Sequence, residues 1–148
     1  MTESTPVVKA LEQLLADSYT LYLKTQNFHW NVTGPQFFQL HTMFESHYIE
    51  LAAAVDLIAE RIRALGFFAP GSYAAFKTLT CIQECTTNPD ASTMIANLTH
   101  DLKLIGDTSI KLMTAAEIAN DEVSLDIGVQ RASVHSKQVW MLKSMIPA

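Results

Sequence analysis

Phe44, Tyr48, Leu51, Val55, Ile58, Ile62 and Leu65 advance along the chain in alternating steps of four and three. A helix turns 100° per residue, so this spacing holds them on one stripe, whereas a strand would scatter them over both faces. The stripe predicts a long amphipathic helix from near Pro35 to Gly66, with the glycine as its C-terminal cap. A seam of that length must be buried against other helices, which commits the chain to a bundle.

The rest of the chain supplies the partners. Thr5-Pro6 is an N-cap followed by a proline tolerated in the first turn, and Val8, Leu11, Leu15, Tyr22 and Phe28 mark a first helix running to about Val32. From Phe67 to Asn88 the periodicity lapses; Pro70-Gly71 is a turn, and Tyr73 to Cys85 has room for a short helix. Asn88-Pro89 opens a third long helix seamed by Met94, Leu98, Leu102, Ile105 and Ile110 and ending near Asn120. A fourth starts around Asp121 and carries Ile127, Val134, Trp140 and Met141. The expected fold is all-α, a four-helix bundle of one domain over residues 1–148. The long crossover lets its second and third helices run parallel.

With 49% apolar residues and only five glycines and five prolines, the chain favours long regular elements. A net charge of -5 gives no general attraction to nucleic acid and suits cations instead. Met1 to Lys9 contains no apolar leader, and no run reaches the length of a membrane span, so a cytoplasmic location without membrane contact is expected. Cys81 and Cys85, without a second Cys or His cluster, make a poor zinc site and read as reduced thiols.

The chemistry lies beside the seam. His41, Glu45, Asp56 and Glu60 share a stripe adjoining it, and His29 stands just across the Gly34-Pro35 break. Imidazole with carboxylate suits Fe(II), and also Zn(II) and Mn(II), without selecting among them. At about 1.5 Å per residue, His41 and Asp56 are about 22 Å apart, too far to share a metal. Asp56 and Glu60, one turn apart, can share one, and His29 and His41 can meet across the turn between their helices. One chain therefore carries two half-sites, and an antiparallel two-fold mate would bring histidines of one subunit onto carboxylates of the other. The Glu-x-x-His pairs expected of a site inside one bundle are absent from the sequence. The bland alternative makes Asp56 and Glu60 a solvated face beside Arg61 and Arg63, with the histidines packed against the bundle. Two histidines at matched distances from a turn weigh against it. His47 and His100 fit no ligand pattern and read as surface residues.

At these positions the chain resembles the Dps proteins, or mini-ferritins, of the ferritin-like superfamily. The likeness rests on Lys24-Thr25, on Asn27-Phe28-His29-Trp30-Asn31-Val32-Thr33-Gly34-Pro35, on Phe37-Phe38 and Leu40-His41, and on Asp56 with Ala59-Glu60-Arg61-Ile62-Arg63-Ala64-Leu65-Gly66. Ala69-Pro70-Gly71-Ser72-Tyr73, Asp126, Arg131, His135, Lys137 and Trp140-Met141-Leu142 extend it over nearly the whole chain. The resemblance implies a dodecameric shell of ferritin-like bundles that oxidises Fe(II), preferably with hydrogen peroxide, stores ferric mineral and protects against oxidative stress. Asp56 and Glu60 would hold one iron with His29 of the two-fold mate, Glu60 would bridge, and His41 would serve the second iron. Glu45 would be a weaker ligand or would orient water. Trp30 would be a sink for stray oxidising equivalents, or else an interface aromatic. Asp121 and Asp126, near a helix start where carboxylates also offset the dipole, would border an iron-attracting pore. His135-Ser136-Lys137 departs from the family's His-Glu-Lys, which loosens a local ion pair without touching the ligands.

Two classes compete. A ferroxidase and iron-storage shell needs the His29, His41, Asp56 and Glu60 set. A DNA-compacting nucleoid protein needs basic termini, whereas Lys9 is opposed by Glu3 and Lys143 is the last base of the sequence, so DNA binding is expected to be weak. A bundle that only holds zinc or a protein partner would not require that full set.

Overall fold

The structure is a computed structural model and describes residues 3–146. Met1, Thr2, Pro147 and Ala148 of the expected domain lie outside the described residues. Helices α1 (Pro6–Asn31), α2 (Phe37–Ala64), α3 (Tyr73–Leu79), α4 (Ala91–Ile118) and α5 (Glu122–Lys143) follow in order, and no strand occurs among the described residues. None of these helices is long and apolar enough to cross a membrane.

Caps explain most boundaries. The Thr5 hydroxyl accepts from the Val8 amide, with Pro6 in the first turn where its missing N–H costs nothing. Asp90 and Asp121 cap α4 and α5 in the same way. Helix α2 ends in a Schellman turn. Gly66, at φ 94°, donates to Arg63, and Phe67 donates to Ile62. Each long helix comes within a few residues of its expected limits; α4 starts at Ala91 because Asp90 takes the cap. The short helix in the crossover stops at Leu79, before either cysteine.

Helix direction follows from paired contacts. Asp17 meets Thr108 and Lys24 meets Asp101, so α1 and α4 are antiparallel. The short link between α1 and α2 makes those two antiparallel as well, which leaves α2 and α4 parallel as the crossover required. Glu50 with Arg131 and Arg61 with Asp121 close the ring between α2 and α5. The core is Leu11, Leu14, Leu15 and Phe28 of α1, Phe44, Leu51, Ile58 and Ile62 of α2, and Met94, Leu98, Leu102, Ile105 and Leu112 of α4.

Helix α5 departs from the expected seam. Ile127 is buried, but Val134 is only partly so and Trp140 is exposed; Leu142 takes the inward place. Its inner face is otherwise polar, carrying Ser124, Arg131, His135 and Gln138. Ile110 of α4 is likewise exposed, and Ser109 and Leu112 face inward instead.

Candidate metal centre

Proline at position 35 cannot donate within a helix and disfavours helical geometry at Gly34, whose φ of 107° suits glycine. The chain therefore reverses over Val32 to Gln36, and His29 in the last turn of α1 lands against His41 near the start of α2. Their rings stack at 3.8 Å between centroids, 13° from parallel. Nδ1 of His29 lies 2.7 Å from the carbonyl oxygen of His41, and Nδ1 of His41 lies 2.7 Å from that of His29. A carbonyl only accepts, so both Nδ1 atoms carry the proton. In the neutral ring this leaves the Nε2 lone pair bare, and neither Nε2 has a hydrogen-bond partner among the described residues. The His29 carbonyl is one of the last four of α1, which lack helical partners, so the His41 side chain also caps that helix. Phe37 stacks on the far side of His41 at 5.0 Å, and Tyr48 meets His29 edge-on at 5.2 Å. Glu45, one turn beyond His41 and half-buried, belongs to this end.

The carboxylate half-site stands at the other end of α2. Asp56 and Glu60 are exposed and form no hydrogen bond or ion pair among the described residues. Their basic neighbours are engaged elsewhere. Arg61 binds Asp121 at 2.8 Å and Ser124 at 3.0 Å, while Arg63 donates to the Phe67 carbonyl and lies over the Phe68 ring. Neither arginine therefore neutralises Asp56 or Glu60, whose carboxylates stand free on an exposed face among the described residues. Within the described residues no three His, Cys, Asp or Glu side chains cluster closely enough to hold a metal.

Exposed residues continue the stripe. Phe38, Thr42, Glu45, Ile49, Ala52, Asp56 and Glu60 recur at three and four along α2, and all but the half-buried Glu45 are exposed. Phe38 and Ile49 are large apolar side chains left in water, as are Leu23 and Trp30 of α1. Trp30 lines a cleft of about 930 Å³ with Tyr19, Leu23, Tyr73 and Phe76.

One histidine departs from expectation, and other residues take definite partners. His47 is not a surface residue: it is 6% exposed between Phe44 and Leu51, and burial lowers its pKa to about 4 against a smaller opposing pull from Glu50. His135 is fully buried, its pKa also lowered to about 4 by burial and then by the Arg131 charge, with Gln138 at 3.0 Å. Burial alone would raise Glu50, but the paired guanidinium of Arg131 holds it below the usual carboxylate range. Ser136 and Lys137 are exposed, so the departure from His-Glu-Lys falls on the surface. His100 is exposed as expected. Cys81 lies beyond α3, where its amide and thiol both donate to buried Asp17; burial and the Asp17 charge push that thiol up. Asp121 is committed to capping α5 and to Arg61, while Asp126 accepts from Gln130. Sequence spacing missed the Tyr48 contact, although Tyr48 sits seven residues beyond His41, two turns along the helix.

The ferritin-like domain family matches residues 8–147. The DNA protection during starvation protein of Brevibacillus brevis is 34% identical over 95% of this chain and 94% of its own. The solved Dps protein from Bacillus brevis superposes with a TM-score of 0.94 at 32% identity, covering 99% of this chain and all of the other. The Dps protein from Vibrio cholerae O1, described as a member of a broad superfamily of ferritin-like diiron-carboxylate proteins, gives a TM-score of 0.89 at 28% identity over 93% and 87% of the two chains. With the fold, the crossover helix and these relatives in agreement, the chain belongs to the Dps family of ferritin-like proteins.

Proposed function

We propose that the protein is an iron-storage ferroxidase whose two-iron sites are shared between subunits of a homo-oligomeric, dodecameric shell, each chain contributing one ferritin-like domain. The observation that carries this reading is the reciprocal histidine pair, with both Nε2 lone pairs unused among the described residues, and with His41 on the same helix as Asp56 and Glu60, which form no hydrogen bond or ion pair among those residues. A two-fold mate laid antiparallel along the exposed α2 stripe covers Phe38 and Ile49 and brings the two half-sites together. Fe(II) is the substrate. Asp56 and Glu60 would hold it through anionic oxygens, and Nε2 atoms of His29 and His41 would complete the set, with Glu45 orienting water or adding a weaker bond. The Nδ1 hydrogen bonds fix both rings beforehand, which lowers the cost of ordering them around iron.

Pairing two one-electron donors suits peroxide. Two Fe(II) give two electrons, and with two protons one hydrogen peroxide becomes two waters, releasing no hydroxyl radical. The test is anaerobic Fe(II) titration followed by a peroxide pulse. We expect faster oxidation than with dioxygen and about two irons consumed per peroxide, each Fe(II) giving one of the two electrons. A ratio near one, with hydroxyl radical caught by a spin trap, contradicts it.

A further inference from the structure

All four tyrosines of the chain lie in one line of neighbouring rings that starts at the paired histidines. Tyr48 meets His29 at 5.2 Å between centroids, Tyr22 meets Tyr48 at 5.9 Å, Tyr19 meets Tyr22 at 5.9 Å, and Tyr73 meets Tyr19 at 6.4 Å. These are the separations of aromatic side chains in contact. The helices set the line: Tyr19 and Tyr22 are one turn apart on α1, Tyr48 reaches them from α2, and Tyr73 is the first residue of α3. Exposure rises along it, for the first three rings are half-buried and Tyr73 is 73% exposed. Where the core needs only apolar bulk the chain uses phenylalanine, at Phe28 and Phe44. Each position in the line carries instead a phenol, a side chain that can lose one electron and one proton. Trp30 makes no ring contact with this line among the described residues.

We propose that Tyr48, Tyr22, Tyr19 and Tyr73 form a relay carrying an oxidising equivalent from the histidine half-site to the surface. The inference rests on the ferroxidase reading and concerns what happens when peroxide meets a site holding a single Fe(II). Peroxide takes two electrons to become two waters. Fe(II) supplies one and becomes Fe(III); a tyrosine supplies the other with its phenolic proton, a second proton comes from solvent, and a neutral tyrosyl radical remains. Each transfer then moves one electron and one proton from the next phenol to the radical, so charge is unchanged. At Tyr73 a soluble one-electron donor such as ascorbate returns the hydrogen atom. The relay completes peroxide reduction at a half-filled site and keeps the damage away from the iron ligands.

The experiment uses the assembled protein, loaded anaerobically with less than one or with two Fe(II) per site, pulsed with peroxide, freeze-quenched and read by electron paramagnetic resonance. Severalfold more tyrosyl radical is expected at the lower loading, because the second iron otherwise supplies the electron. Ascorbate should quench it quickly. Tyr22→Phe, a volume-conserving change away from the iron ligands, should leave iron oxidation unchanged and make the radical severalfold slower to quench. Radical independent of loading, or quenched as quickly in Tyr22→Phe as in the unaltered chain, overturns the relay while leaving ferroxidase activity standing. A second arm needs no iron: flash-oxidised ruthenium tris-bipyridine in solution oxidises the exposed end. Part of the radical should then reside on Tyr48, as the spectral component missing from Tyr48→Phe, and Tyr22→Phe should remove that component. Its persistence in Tyr22→Phe overturns the relay even if peroxide oxidises no iron at all.

Discussion

Burial of His47 and His135 sets how single residues answer to acid. Both hold a folded pKa of about 4 against an ordinary value of 6.5, so between those limits the unfolded chain binds protons that the folded chain refuses. Stability therefore falls as pH drops through that window and is insensitive to these groups above it. Glu50, held low by Arg131, adds its own loss only below the usual carboxylate range. Near pH 5 the free energy of unfolding should change by about 2 kcal/mol per pH unit, the equivalent of a little under two protons. Denaturant titrations at a series of pH values measure this slope, and a flat profile between pH 6 and about 4.5 would contradict the assignment. The signal for His47 was present in the sequence, since it falls three after Phe44 and four before Leu51, on the seam itself. Ligand chemistry distracts from such a residue because histidine suits both core and metal. For His29 and His41 the residue types and their meeting at the turn were legible. The exchange of Nδ1 hydrogen bonds was not, because it depends on where each backbone carbonyl points after the reversal.

At the scale of elements, α4 packs tightly against α5 at Gly128. A Cβ there would sit 2.6 Å from Cγ of Met113 and 3.0 Å from the backbone oxygen of Ser109, and the latter cannot move without shifting α4. Gly128→Ala should destabilise by about 1–3 kcal/mol despite the better helix propensity of alanine. A thermal melt at or above that of the unaltered chain would show that the helices have room to part. The same helix shows why periodicity reads some elements better than others. Helices α1, α2 and α4 bury apolar seams and were placed closely; α5 buries Arg131, His135 and Gln138, so a search for apolar spacing selected exposed Trp140. The crossover was legible as an interruption but not as a structure. Asp17, wholly buried in α1, draws it in by accepting from Thr80 and Cys81 while Thr108 of α4 also donates to it, and Lys24 pairs with Asp101 at 2.7 Å while donating to the Gln83 carbonyl. Those partners lie far apart in sequence, and no local pattern announces them.

For the whole molecule, charge and the exposed α2 stripe decide what the protein meets. A chain with net charge -5, repeated through the proposed shell, repels phosphates, so duplex DNA should not shift in a gel at physiological salt and neutral pH. Tight binding there would require a basic patch such as Lys103 with Lys143, whose mutual repulsion lowers Lys103, to outweigh the acidic surface. The central claim is that the iron site is built from two chains. One variant carries His29→Ala and His41→Ala, another Asp56→Ala and Glu60→Ala, and each alone has lost half of every site. In a mixed dimer the histidines of one chain meet the carboxylates of the other, giving one intact site and one without ligands. Co-refolding the two inactive variants should restore fast Fe(II) oxidation to about one-quarter of the unaltered rate, since random pairing makes about half the dimers mixed and each holds one good site of two. No recovery in preparations that mass spectrometry shows to contain mixed dimers would contradict the shared site.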